Sequence, residues 1–277
     1  EIESGGMLCF ARVGGFDDRA LLGKVVQIGP QKVIGIIGAR AIHLLKSGEY
    51  GKTVKADAMR IDIGAKNKDG AAGKVRVGDY AAFVTAYEEN TAVGGRTAIG
   101  KAFDNRAGCA ALVELLRGER YPFDLVAAFT VQEEVGLRGA KIAAYSARPD
   151  AALVLECTPA YDLPDEADVS PNVALGQGAS VYVMDARTIQ DPRLVAHLTR
   201  TADARGIAYQ VRQPGGGGTN TGAIQRGAAG IPVATLAIPG RYAHTPTMMI
   251  SLDDYDSVVR LAEAALRDLT PEIVRRS

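Results

Sequence analysis

Two adjacent carboxylates after an apolar segment are the residues of this chain best suited to chemistry. Glu133 and Glu134 follow the apolar segment 125–131 and precede Gly136 and Gly139. Active sites of α/β proteins gather at the carboxyl ends of their strands. Of two neighbouring carboxylates, one can bind a metal ion while the other transfers a proton. The pair therefore predicts a metal-dependent hydrolase, with a solvated loop pair as the structural alternative.

Three further side chains with metal-binding chemistry lie beside other predicted elements. Asp104 precedes a helical pattern, Glu156 follows the apolar run 151–155, and His244 lies in a loop flanked by Pro and Gly. Carboxylates with imidazole suit Zn, Co or Mn, and an aspartate shared by two ions gives a two-metal hydrolytic site. Structural alternatives stay open for each of them, namely a helix cap, a buried ion pair and a structural histidine.

Two other enzyme classes fit these patterns poorly. Glycosidases place two carboxylates roughly 5 to 9 Å apart on either side of the bond, and adjacent residues of one chain rarely face each other in that way. Residues 214–218, before Thr219 and Asn220, form a backbone-approach loop or a flexible linker, without the lysine of a nucleotide-binding P-loop. His43 and His197 lie in apolar or helical contexts and are predicted to be structural.

Length, charge and cysteine content limit the remaining classes. The 277 residues can bury one large core or two smaller ones. The 32 basic residues balance the 32 acidic ones, so no electrostatic argument favours a nucleic acid or a membrane surface as partner. The 3 cysteines lack metal-ligand spacing, which predicts reduced thiols in a cytoplasmic protein. No apolar run reaches the roughly 18 residues of a membrane span.

The pattern of elements changes near residue 94. Before it, short apolar segments separated by glycines are typical of a small barrel or sandwich. After it, strands alternate with helices, which predicts a mixed, mostly parallel sheet covered by helices on both faces. The predicted strands are 7–13, 24–28, 32–37, 80–86, 125–131, 151–155 and 233–237, and the predicted helices are 64–72, 106–117, 137–147, 192–204, 219–225 and 252–269.

Four motifs, in this order, resemble the tetrahedral aminopeptidases, the glutamyl aminopeptidase and endoglucanase-M family of co-catalytic metallopeptidases. They are Phe103-Asp-Asn-Arg-Ala-Gly108, Gln132-Glu-Glu-Val-Gly-Leu-Arg-Gly-Ala140, Gly217-Gly-Thr-Asn220 and Pro239-Gly-Arg-Tyr-Ala-His-Thr245. The first part of the chain is also similar to the inserted domain of that family, at Val13-Gly-Gly15, Ile42-His-Leu-Leu45 and Ile61-Asp-Ile-Gly64. The resemblance covers essentially the whole chain.

The resemblance implies a role for each candidate residue. Asp104 would bridge two divalent metal ions, Zn or Co, and Glu133 would be the general base that activates water. Glu134 and His244 would complete one metal site, and Glu156 would hold the other ion. Family members often have Asp where Glu156 stands. They also carry a first histidine ligand upstream of the β domain, so we expect an N-terminal truncation that leaves one metal site incomplete.

The resemblance also implies a domain organisation and an activity. Residues 1–4 would be a remnant of the catalytic domain, residues 5–93 an inserted β-barrel domain, and residues 94–277 the metallopeptidase catalytic domain. The expected function is hydrolysis of the N-terminal residue of short peptides by an enzyme that assembles into dimers and dodecamers. The alternatives are another metal-dependent amide hydrolase, such as a deacylase, and a non-catalytic paralogue with an incomplete metal site.

Overall fold

Strands and helices alternate along most of the chain in the computed structural model, which describes residues 1–91, 95–163 and 173–275. The strands are β1 (Val25–Ile28), β2 (Val33–Gly38), β3 (Arg60–Asp62), β4 (Ala81–Phe83), β5 (Glu88–Asn90), β6 (Thr97–Gly100), β7 (Ala152–Pro159), β8 (Ala179–Tyr182), β9 (Tyr209–Arg212), β10 (Val233–Arg241) and β11 (Met248–Ser251). The α-helices are α1 (Lys68–Ala72), α2 (Phe103–Arg117), α3 (Arg138–Ala147), α4 (Pro192–Arg205), α5 (Thr221–Ile224), α6 (Leu252–Arg267) and α7 (Pro271–Val274), and short 3₁₀ helices cover Asp18–Ala20, Ile42–Leu44 and Ala56–Ala58. The fold is therefore mixed α/β.

The chain divides into two compact units. The first comprises Glu1–Ala86 with His244–Thr247, and the second comprises Tyr87–Ala243 with Met248–Ser277. The assignment of these regions to an inserted domain and a catalytic domain stays a prediction. The predicted boundary between residues 93 and 94 lies outside the described residues.

The first unit contains a four-stranded antiparallel sheet in the order β3-β2-β1-β4. Val26, Ile28 and Ile37 are buried in its core. A barrel requires its two edge strands to pair with each other, whereas β3 and β4 stand at opposite ends of this order. The described part of the sheet is open, so the predicted barrel is wrong. The predicted strand 7–13 is reduced to isolated bridges that Leu8 forms with Ile2 and Ile61.

The second unit is built on a seven-stranded sheet in the order β5-β6-β11-β10-β8-β9, with β7 paired to β10. Two pairings, β7–β10 and β8–β9, are parallel. The pairings β5–β6, β6–β11, β11–β10 and β10–β8 are antiparallel. The prediction of a mostly parallel sheet is therefore wrong for the described strands. One cause is the short turn from β10 to β11, since a hairpin connection makes neighbouring strands antiparallel.

The predicted helices of the second unit are confirmed as α2 to α6, with ends shifted by a few residues. Local signals explain their ends: the Ser251 side chain accepts from the Asp254 backbone N–H at the start of α6, and Gly206 adopts a left-handed conformation at the end of α4. None of the described helices is long and apolar enough to cross a bilayer.

The apolar segment 125–131 differs from its prediction, because no strand is assigned there. Within the described residues, the backbone of residues 125–130 makes no backbone hydrogen bond, and Val131 O accepts from Gly139 N at 3.0 Å. A strand is defined by its ladder of hydrogen bonds to a neighbour. Hydrophobicity alone therefore did not decide the state of this segment.

The two faces of the larger sheet differ in chemistry, because alternate residues of a strand point to opposite faces. What we call the apolar face packs against α2, α4 and α6 and carries Leu155, Cys157, Val181, Leu236 and Ile238. What we call the polar face carries Glu156, Thr158, Ser180, Tyr182, Arg212 and Thr235, all of them buried. Val233, at the start of the polar-face row of β10, packs with Ala144 of α3.

Candidate metal centre

Asp104 lies where β6 leads into α2, in a stretch of the helix that is not yet regular. Asp104 and Asn105 have non-helical backbone angles. The Asn105 side chain donates to Leu155 O at 2.8 Å and accepts from Gly108 N at 3.1 Å. A Cβ on Gly108 would come within 2.6 Å of Leu155 O, so only glycine allows α2 to approach β7 this closely. These contacts hold Asp104 against the strand that carries Glu156.

Glu156 lies inside β7 rather than at its end, because the parallel pairing with β10 continues to Pro159. The next residue, Cys157, points to the opposite face, where its thiol donates to Phe103 O at 3.0 Å. Leu155 and Cys157, which flank Glu156, are thus hydrogen-bonded to the two residues that flank Asp104, namely Asn105 and Phe103. This fixes the two carboxylates relative to each other.

Glu156 is a buried carboxylate without adequate compensation from the protein. Its side chain is 4% exposed. Oε1 accepts from Cys157 N at 3.1 Å, whereas Oε2 has no hydrogen-bond partner among the described residues. Burial raises the pKa of Glu156 well above its usual value, and the negative charges of Asp104, Glu133 and Glu134 raise it further. Three other carboxylates act electrostatically on this buried carboxylate, and a cation would offset their combined negative charge, so a metal ion fits this donor set.

Glu133 and Glu134 occupy a tight turn before α3. Glu133 O accepts from the N–H groups of Gly136 and Leu137 at 3.0 and 2.9 Å. Gly136 has a φ of +118°, a value that side-chain-bearing residues rarely adopt. A Cβ on Gly139 would come within 2.4 Å of Val131 O, so glycine is required where the turn closes. The spacing of the two glycines after the carboxylates therefore has a steric basis.

His244 lies in the turn that joins β10 to β11, with a φ of +59°. One ligand atom each from Asp104, Glu134 and His244 lie within 4.8 Å of one another. Two carboxylate oxygens and an imidazole nitrogen are a donor set that suits Zn, Co or Mn. The structure thus brings together three of the residues that the sequence suggested as ligands.

The other two histidines have different surroundings. His197 of α4 is 7% exposed, and its Nε2 lies 2.7 Å from Ala265 O of α6. This contact joins two helices of the core and supports the structural role predicted for His197. His43 is exposed within a short 3₁₀ helix.

Sequence reasoning missed residues that position the site without belonging to it. Asn105 and Cys157 were not singled out, although each contacts a residue adjacent to a candidate ligand. Asn105 stands directly after Asp104 within a recognised motif, so its position was a usable signal. Nothing in the local sequence connects Cys157 with Phe103, because 54 residues separate them.

Comparison with known proteins places this chain in a family. The model of the family described as M42 glutamyl aminopeptidase matches residues 1–261. The solved structure of a TET aminopeptidase from Thaumarchaeota archaeon SCGC AB-539-E09, a marine sediment archaeon, superposes with a TM-score of 0.93 at 34% sequence identity. The match covers 99% of this chain and 78% of that chain.

Two relatives from Pyrococcus add information on assembly and activity. The TET1 peptidase of Pyrococcus horikoshii, described as able to assemble into a tetrahedron or a large octahedral shell, matches with a TM-score of 0.81 and 30% identity, over 97% of this chain and 79% of that chain. The lysyl aminopeptidase of Pyrococcus furiosus is 27% identical over 277 residues, which are 98% of this chain and 78% of that protein.

Proposed function

Because the chain belongs to the M42 glutamyl aminopeptidase family and is a metal-dependent aminopeptidase, we propose that it hydrolyses the N-terminal residue of short peptides with two divalent metal ions and a glutamate base. The observation that carries this proposal is the buried oxygen of Glu156, which has no hydrogen-bond partner among the described residues and whose carboxyl pKa is raised by burial and by three further carboxylates. Family membership favours this activity over the deacylase and the non-catalytic alternatives.

The proposed ligands divide into two sets that share Asp104. Asp104, Glu134 and His244 would hold one ion, which their close grouping supports. Asp104 and Glu156 would hold the other, which the uncompensated charge of Glu156 supports. When bound, zinc or cobalt would supply Lewis-acid polarisation of the scissile carbonyl.

Glu133 is the proposed general base. Its carboxylate would accept a proton from the attacking water as the oxygen bonds to the carbonyl carbon of the substrate. The same proton would then pass from Glu133 to the amine nitrogen as the peptide bond breaks. The turn that holds Glu133, closed by backbone bonds to Gly136 and Leu137, would keep the carboxylate in place between these two transfers.

The substitution Glu133→Gln tests this assignment. An amide cannot accept the proton, so we expect kcat to fall on the order of a hundredfold or more, while the metal content measured by mass spectrometry stays unchanged. The adjacent Glu134→Gln serves as the matched variant, in which we expect metal affinity to fall together with activity. If kcat/KM of Glu133→Gln stays within about threefold of wild type, Glu133 is not the base.

We also infer that the protein acts in the cytoplasm as a symmetric assembly of dimers, and dodecamers are the size we expect. The assembly of the similar Pyrococcus horikoshii TET1 peptidase into a tetrahedron or a large octahedral shell supports this inference. The free thiols Cys9, Cys109 and Cys157 support a reducing compartment. Light scattering on the purified full-length protein tests the assembly, and a monomer at micromolar concentration would contradict it.

A further inference from the structure

Arg212 is a buried positive charge that the proposed hydrolysis does not use. It ends β9 on the polar face, and its side chain is 5% exposed. Nε donates to Thr158 Oγ1 at 3.1 Å, and the guanidinium lies 4.5 Å from the centre of the Tyr182 ring. Nη1 and Nη2 reach the carbonyl oxygens of Gln213 and Gly216 at 3.5 and 3.4 Å. Within the described part of the chain, its guanidinium forms no ion pair with a carboxylate.

A buried guanidinium with neutral partners is electrostatically incomplete. Burying a charge is costly unless an opposite charge or strong hydrogen bonds compensate it. The two contacts of Arg212 with loop carbonyls are longer than ordinary hydrogen bonds, which are about 2.9–3.0 Å. The planar fork of arginine matches the two oxygens of a carboxylate. A carboxylate could therefore replace these long contacts with shorter, charge-assisted ones.

The place of Arg212 suits a group that belongs to the substrate. Thr158, which it contacts, lies two residues from Glu156 on the same face of β7. Two residues along a strand span roughly 7 Å, which is also about the length of two extended peptide residues. A carboxylate at Arg212 would thus lie within a short peptide's reach of the proposed metal ligand Glu156.

The backbone of the loop that contacts Arg212 is open at two glycines. Among the described residues other than the immediate chain neighbours, no atom lies within 4 Å of the position that a Cβ would take on Gly216 or Gly217. The loop backbone is therefore unobstructed by side chains at these two positions. The side chain of Arg187 packs against Gly218, where a Cβ would come within 2.7 Å of its Cγ, and it adds a second positive charge beside the loop.

From these contacts we propose that Arg212 and the glycine loop 215–218 bind a carboxylate of the peptide substrate. This inference rests on the proposed function and specifies the substrate class for the same site. The carboxylate has two sources, namely an acidic side chain on the N-terminal residue or the C-terminal carboxylate of a dipeptide. In either case Arg212 is a specificity-determining residue.

The test compares substrates that differ in one charge, using the full-length enzyme loaded with zinc. One pair is glutamyl and glutaminyl anilide, and the other is leucyl-glycine and its amide. We measure kcat/KM for wild type, Arg212→Gln and Arg212→Lys, with Arg205→Gln as a control on the far end of α4, where Arg205 pairs with Asp268. We expect Arg212→Gln to lower the acid-to-amide ratio of one pair at least about tenfold, Arg212→Lys to lower it less, and Arg205→Gln to leave it unchanged.

The results distinguish the two possible sources of the carboxylate from a purely structural role of Arg212. A loss in the anilide pair assigns the side-chain carboxylate, and a loss in the dipeptide pair assigns the C-terminal one. Equal falls of kcat/KM for all four substrates would mean a purely structural Arg212 and would overturn the proposal. If Arg212→Gln does not fold, Arg212→Lys decides, since we expect it to raise KM for the acidic substrate with little change in kcat, and an unchanged KM counts against the proposal.

Failure of the proposed function would be recognised separately. It would appear as wild-type protein that cleaves none of the four substrates. In that case, calorimetric titration with glutarate, a dicarboxylate without a scissile bond, still tests Arg212. Binding to wild type that weakens about tenfold in Arg212→Gln would keep the carboxylate site, and equal binding to both proteins would remove it.

Discussion

Both faces of the larger sheet carry buried residues, but the polar groups on the two faces differ in whether the protein supplies their hydrogen-bond partners. Glu156 and Cys157 are neighbours on β7, with exposures of 4% and 5%. On the apolar face, the Cys157 thiol is satisfied by Phe103 O, and burial raises the pKa of that thiol well above its usual value, which keeps it neutral. On the polar face, Glu156 retains an oxygen without a hydrogen-bond partner among the described residues. The apolar face is complete within the protein, whereas the polar face is built to be completed by something else.

This difference separates stability from function at the level of alternate residues. Substitutions on the apolar face should change the free energy of unfolding and affect metal binding much less. Substitutions on the polar face should change metal or substrate binding, and some should make the metal-free protein more stable. A residue whose substitution does not have the effect expected for its face would contradict this separation.

The largest effect on stability is expected from Leu236→Ala. Leu236 of β10 is 0% exposed within the apolar-face core. The lost contacts and the remaining cavity should lower the free energy of unfolding by about 2–5 kcal/mol, as measured by urea denaturation. Zinc affinity should stay within about twofold of wild type. Val211→Ala, at a position that is 42% exposed, is the control and should cost far less.

An intermediate effect of opposite sign is expected from Glu156→Gln. Removing the charge should weaken zinc binding at least about tenfold by calorimetry. The same change should stabilise the metal-free protein by about 1–3 kcal/mol, since a buried charge without compensation is removed. The neighbour Cys157→Ala should act in the opposite proportion, with a modest loss of stability and a much smaller loss of zinc affinity, since the bond from Asn105 to Leu155 still joins the two elements. A metal-free Glu156→Gln protein that is less stable than wild type would contradict our account of the polar face.

The smallest effect concerns pH and the loop before β8. Asp254 of α6 accepts from the N–H groups of Gly176 and Gly178 at 2.8 and 2.7 Å. Burial raises the pKa of Asp254 from 3.8 to about 6, against the opposing effect of these two bonds. Because the folded pKa exceeds the unfolded one, the stabilisation is complete below about pH 4 and is lost as pH rises through 6. A pKa that differs by about 2 between the folded and unfolded states corresponds to about 3 kcal/mol, which screening by solvent should reduce to roughly 1–2 kcal/mol.

Asp254→Asn is the variant that isolates this pH dependence. The amide does not titrate, so the difference in unfolding free energy between wild type and Asp254→Asn should change between pH 4 and pH 7. The exposed neighbour Asp253, which pairs with Arg96, gives the control Asp253→Asn. A difference between wild type and Asp254→Asn that is constant over this range would assign Asp254 an ordinary pKa.

Much of the fold was predictable wherever one element carries its own signal. Helices α2, α4 and α6 were found because apolar residues recur with helical spacing and Gly118 or Gly206 marks an end. Strands β1, β2 and β10 were found because their apolar runs are bounded by glycine or proline. Strands β8, β9 and β11 were missed, since each has four residues and a mixed composition.

The residues of the candidate site also divide into those that the sequence predicted and those that it did not. Glu133 and Glu134 were identified by their adjacency, and Asp104 and His244 by their loop positions and their motifs. The place of Glu156 inside β7 was not predictable, because pairing with β10 extends the strand to Pro159. Arg212 was not singled out either, since nothing around it in the sequence distinguishes a buried arginine from an exposed one.

The sequence by itself determined which residues can hold a metal ion and transfer a proton, because these abilities belong to side-chain types and to their order in motifs. It also determined most helices, because helical contacts are local. Only the tertiary structure decided that the larger sheet is mixed, that β3 and β4 leave the smaller sheet open, and that Glu156 and Arg212 share one buried face. Strand order, burial and the lack of a partner depend on residues far apart in the chain, and no local pattern encodes them.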